Sequence, residues 1–158
     1  MKRILTALLA MLLLLSLASC NKTSYKNDVA VTSLADTAVS ALNDGKEYST
    51  ADSDFLDSYF AKPDYVTESV IRFSTDGNDL NEFGIYHVTD GNSDAMKAKL
   101  SDYLTKFYEL YNANYLPEET PKLRDAEVKV FGNYVVYAML NDTDRATFFD
   151  AVENALKQ

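Results

Sequence analysis

The stretch DAEVKVFGNYVVYAML, Asp125 to Leu140, limits what this chain can fold into more than any other. Two runs rich in β-branched and aromatic residues flank the dipeptide Gly132-Asn133, which reads as a two-residue hairpin turn. That turn sets Val130 opposite Val135, Val128 opposite Tyr137 and Ala126 opposite Met139 on one face. The face is apolar throughout and requires a cover. The other face mixes Glu127 and Lys129 with Phe131, Tyr134 and Val136, a pattern expected of a partly covered surface.

The rest of the chain supplies the cover. Val31, Leu34, Ala35, Ala38 and Leu42 recur at steps of three and four and predict a helix from about Asp28, closed by Asn43-Asp44-Gly45. A second, shorter helix is predicted over DSDFLDSYFA, where Phe55, Leu56, Tyr59 and Phe60 make an apolar face ahead of Pro63. Tyr65 to Ser74 and Glu82 to Val88 then read as a hairpin with a long loop. The longest helix is expected from about Ser93 to Tyr115, broken by Pro117 and Pro121, and a last one from Thr143 to Lys157. The order α-α-β-β-α-β-β-α predicts an α+β fold in which two hairpins form one four-stranded antiparallel sheet packed with about four helices.

The N-terminus follows a different logic. Lys2 and Arg3 precede an uncharged, leucine-rich run from Ile4 to Leu17. As a helix these fourteen residues would rise about 21 Å, short of a hydrocarbon core about 30 Å thick. A basic start, an apolar middle and small residues after it describe an export signal. The Leu17-Ala18-Ser19-Cys20 sequence resembles the lipobox of bacterial lipoproteins, in which the cysteine sulfur takes a diacylglyceryl group and cleavage falls just before it. The expectation is a lipoprotein signal peptide over residues 1–19, lipidated Cys20 with a short tether to residue 27, and a single α+β domain over 28–158. Two acyl chains suffice for stable anchoring where one is marginal.

The lipobox, the FGIYHV strand leading to a long helix, the YLPEE break and the LRDAEVKVFGNYVVYAML hairpin together resemble the small lipoproteins of Gram-positive anaerobes grouped as domain of unknown function 4358. That resemblance spans most of the chain beyond Cys20. It implies a lipid-anchored α+β domain and brings no catalytic residues with it.

Charge narrows the partners. From Asp28 onward the chain carries 24 acidic side chains against 11 basic ones. A body this acidic is repelled by phosphate backbones, so nucleic acid is not an expected partner. The lone cysteine leaves no disulfide framework.

Candidate chemistry is sparse. Asp90, Asn92 and Asp94 alternate like the front of a calcium loop, but Ala95 stands where an EF-hand needs glycine and Ser101 where it needs glutamate. The plainer reading is a strand-to-helix turn with Ser93 or Asp94 as the cap. His87 is the only histidine, there is no G-x-S-x-G elbow, and five scattered glycines make no phosphate loop. No metal or cofactor is therefore expected. Tyrosine is over-used, with eleven in the chain, and Tyr103, Phe107, Tyr108, Tyr111 and Tyr115 concentrate on the long helix. These rings either pack the helix on the sheet or line a groove for a peptide or glycan.

The expected function is a non-enzymatic binding module, anchored by Cys20 at the extracytoplasmic face of the cell membrane and engaging an envelope protein, peptide or glycan. The alternative is an envelope hydrolase that uses surface carboxylates with His87.

Overall fold

The computed structural model describes residues 23–52, 62–111 and 114–158. Cys20, its signal sequence and the helix predicted over residues 52–61 lie wholly or almost wholly outside them.

Within the described residues, helix α1 (Val31–Leu42) is followed by strands β1 (Tyr48–Thr50), β2 (Val66–Ser74) and β3 (Glu82–Val88). Helix α2 (Ser93–Leu110) and a 3-10 turn at Pro117–Glu119 lead to the short α3 (Thr120–Arg124). Strands β4 (Glu127–Phe131) and β5 (Tyr134–Met139) and helix α4 (Asp142–Leu156) complete the order. The fold is α+β, and all strand neighbours are antiparallel in the order β1-β2-β3-β5-β4.

The sheet has five strands where the sequence pattern predicts four. The extra one is β1, whose Tyr48, Ser49 and Thr50 pair with Ser74, Phe73 and Arg72. Three residues are too few to display an alternation, and they sit where the pattern shows only the sequel to a helix. The β4–β5 hairpin has the predicted register, with Val130 opposite Val135 and Val128 opposite Tyr137; the ladder stops at Glu127–Ala138, before the Ala126–Met139 pair. Gly132 takes the left-handed φ of +60° at the first turn position, as a II′-type reversal requires.

Helices cover both faces. On one side α1 contributes Val31, Leu34, Ala35, Ala38 and Leu42, and α4 contributes Phe148, Phe149, Val152 and Leu156, against Phe83, Ile85, Tyr134, Val136 and Ala138. On the other, Met96, Leu100 and Leu104 of α2 pack on Tyr86, Val88, Val135 and Tyr137. This double cover buries every residue of β5 and explains why its outward-facing positions lack the charges of a solvated strand.

Two helix boundaries differ from expectation. α2 ends at Leu110, because Tyr111 turns extended (ψ 129°) and its hydroxyl donates to the Leu116 carbonyl at 3.0 Å. Tyr115 therefore lies beyond the helix, in a turn. At the other end Asn92 occupies the cap position without a side-chain cap bond, while Ser93 Oγ donates to the Gly132 carbonyl. The cap expected of Ser93 is thus diverted to the neighbouring hairpin turn.

Tyr25, placed in the tether by sequence, belongs to the folded body. It bridges to Lys157, its ring packs edge-on against Phe131, and its hydroxyl donates to Glu153 at 3.0 Å.

Candidate functional site

Alternation along β3 sends Phe83, Ile85 and His87 to the α1/α4 side and Glu82, Gly84, Tyr86 and Val88 to the α2 side. A carboxylate therefore enters the α2 core. Glu82 Oε1 accepts hydrogen bonds from Tyr137 Oη at 2.6 Å and from Tyr103 Oη at 2.9 Å. Tyr137 can reach it because its ring crosses β3 directly over Gly84, its ladder partner; a Cβ there would lie far inside contact distance of the ring. Burial raises the Glu82 pKa, and the two tyrosine hydroxyls oppose that shift only in part. Burial, and then the nearby Glu82 charge, push the Tyr137 hydroxyl well above its usual range.

The loop joining β2 to β3 is tied down by charge. Asp79 pairs with Lys122 and with Lys46, each at 2.7 Å, and Lys122 also meets Glu119 at 2.6 Å. Glu119 Oε2 accepts from the backbone N–H of Leu80 at 2.8 Å. Burial alone would raise the pKa of Asp79, but the bonds from Lys122 and Lys46 outweigh it and hold the carboxyl well below the ordinary range.

Between this loop, the ends of β2 and β5 and the last turns of α2 lies a cleft of about 160 Å³. Asn81 and Glu82 are its deepest polar residues, and Phe73 and Phe107 are among its apolar walls. Asn81 is 1% exposed. Its Nδ2 donates to Tyr48 Oη at 3.0 Å, and Tyr48 Oη in turn donates to Asp44 at 2.7 Å. The Asp44 carboxylate can only accept, so the single Tyr48 proton goes there and Asn81 must present its NH₂ to the tyrosine. Asn81 Oδ1 is consequently left buried with no hydrogen-bond partner.

The aromatic residues expected to act together are separated. Tyr103 bonds Glu82, and Phe107 stacks beside it at 6.1 Å and lines the cleft. Tyr108 lines a different depression, about 230 Å³, on the opposite flank of α2 with Leu123 and Val128. Tyr111 bonds the Leu116 carbonyl, and Tyr115 is 67% exposed. A third depression, about 390 Å³, lies between α3 and the start of α4, where Asp142, Asp125 and Glu118 mix with Lys122 and Arg124.

His87 lies at the far end of β3. Its Nε2 meets Asn27 Oδ1 at 2.9 Å and its Nδ1 meets Thr67 Oγ1 at 2.6 Å. Thr67 Oγ1 also donates to the His87 carbonyl at 3.1 Å, so neutral side chains engage both ring nitrogens. Among the described residues no carboxylate bonds this ring. The Asp90–Asn92–Asp94 run is likewise engaged internally: Asn92 Nδ2 donates to Thr89 Oγ1, and Asn133 Nδ2 donates to Asp90. Among the described residues no group of three or more His, Cys, Asp or Glu side chains is placed to hold a metal ion.

The family model described as Domain of unknown function (DUF4358) matches residues 40–140. The chain belongs to this family. The family segment runs from the end of α1 to the residue after β5, so it contains the whole sheet, α2 and every cleft residue, while α4 lies beyond it. No curated protein and no solved structure matches the chain.

Asn81, Glu82 and Asp79 escape a sequence reading aimed at recognised motifs. One signal was available: Glu82 shares a strand face with Gly84 and Tyr86, and a carboxylate on a face that also carries packed residues needs a partner.

Proposed function

We propose that this chain is a lipid-anchored binding domain at the extracytoplasmic face of the cell membrane, tethered by Cys20, and that it holds its partner in the Asn81–Glu82 cleft. The observation carrying this reading is the cleft itself. Its loop is held by the two ion pairs of Asp79, Phe73 and Phe107 are among its walls, and an unpartnered amide oxygen belongs to one of its lining residues. Buried polar groups without partners are uncommon in folded proteins and concentrate where something else is meant to bind. An envelope protein, peptide or glycan is the partner class the location implies.

Two structural facts accord with anchoring. No helix among the described residues is long and apolar enough to cross a membrane. The chain enters the fold at Tyr25, close to Asn27 and His87, while Glu82 lies five residues along β3, roughly 17 Å away. The cleft residue Glu82 thus sits at the opposite end of β3 from the point where the chain enters the fold.

Intact-protein mass spectrometry of the native chain tests the anchor, with a diacylated Cys20 at the N-terminus as the expected result and an unmodified thiol as the refuting one. Amide chemical-shift mapping with muropeptide and glycan fragments of the envelope tests the binding site. Shifts confined to the cleft support it; shifts clustered elsewhere reject it.

A further inference from the structure

Resting on that reading of the cleft, we propose that it recognises one alkylammonium group, presented either by a lysine side chain of a partner or by a free aliphatic amine. The local charges decide the sign. Lys46 and Lys122 are matched by Asp79 and Glu119, whereas Glu82 has only tyrosine hydroxyls for company and no cation among the described residues. Both hydroxyls go to Oε1, and Oε2 remains to accept. Asn81 Oδ1, buried and without a hydrogen-bond partner, is an acceptor on a second residue that lines the same cleft. Two acceptors, one of them on an uncompensated carboxyl, disfavour an anion and match a group that carries several N–H donors and a positive charge. A neutral hydroxyl would satisfy Asn81 and leave the carboxyl unpaired.

The walls and the size agree with this occupant. Phe107 offers ring surface to a cation and to its methylene stem. A volume of about 160 Å³ falls below that of sites for whole drug-sized ligands and suits the end of one side chain. The net charge of −9 attracts cationic ligands over long range.

Titration of the folded chain with n-butylammonium, Nα-acetyl-lysine amide, its Nε-acetylated form and methyl glucoside, followed by amide chemical shifts, tests the proposal. Shifts at Phe73, Asn81 and Phe107 are expected with the two ammonium probes and not with the acetylated or glucoside probes. The Glu82→Gln variant keeps an acceptor for both tyrosines and should bind the ammonium probes about tenfold more weakly, while its melting curve shows that it folds. Tighter binding of the lysine amide than of butylammonium assigns the source to a partner side chain, and equal binding assigns it to a free amine. Equal shifts from the Nε-acetylated probe, or undiminished binding by Glu82→Gln, overturn ammonium recognition but leave a binding cleft standing. Silence from all four probes overturns this proposal and, if the envelope fragments are also silent, the binding reading with it.

Discussion

Gly84 and Tyr137 face each other across the β3–β5 ladder, and the ring of Tyr137 fills the space that a side chain at position 84 would take. Tyr137 is completely buried, so the ring has nowhere to retreat. Gly84→Ala should therefore destabilise the fold by about 3 kcal/mol, the upper range for overpacking a tight core. Gly77, with nothing near its missing side chain, is the control; Gly77→Ala should change stability by less than about 0.5 kcal/mol. Urea denaturation of both variants checks the contrast, and equal effects would show that the ring does not depend on the glycine.

Glu82 predicts an unusual pH dependence. Its carboxyl pKa is raised on folding, so the native state holds a proton that the unfolded chain releases once pH exceeds about 4.5. Stability is thus greatest below that pH as far as this group is concerned, and falls as pH rises toward the native value. Glu82→Gln should flatten that decline. Urea midpoints measured across the range above pH 4.5 provide the test, and an unchanged slope in the variant would assign the decline to other groups.

Asp79 acts in the opposite direction and in a different window. Its depressed pKa makes its ion pairs fully effective above the ordinary carboxyl value of 3.8, and their contribution is lost as pH falls below it. Lys122→Met leaves Asp79 and Glu119 buried with one fewer cation and should cost about 3 kcal/mol. Combined with Asp79→Asn, the loss should be smaller than the sum of the two by about 1 kcal/mol or more. Strict additivity in the cycle would deny the coupling.

Tyr25 makes a fourth prediction. Its ring packs on Phe131 and against Gly132, and its backbone bridges Lys157. Tyr25→Ala should cost about 2 kcal/mol, in line with removing a half-buried aromatic ring. It should also speed amide exchange at Lys26, whose N–H bonds the Leu156 carbonyl. A neutral substitution would return this segment to the role of a loose leader.

The elements were legible where a periodic pattern met a punctuating residue. The buried set of α1 is the set its spacing predicts, and Gly132-Asn133 placed the β4–β5 register to the residue. β1 was not legible, because three residues carry no period, and neither was the end of α2, because Tyr111 and Tyr115 continue the helical spacing past the point where the backbone turns. The cleft was half visible. Tyr103 and Phe107 were marked by their aromatic concentration, but Asn81 and Asp79 acquire their meaning from Tyr48, Lys46 and Lys122, all of them more than thirty positions distant. No local window contains that network.

The Tyr25–Lys157 bridge has a practical side. Ser24 and Gln158 are hydrogen-bonded to each other, so anything appended after Gln158 emerges beside the incoming chain and competes for the same room. A reporter or affinity handle at that terminus would crowd the pole where the chain enters the fold, whereas one inserted at Gly77, in the open β2–β3 loop, would point into free solvent but sit next to the cleft. Labelling strategies for this domain must choose between disturbing its footing and shading its mouth.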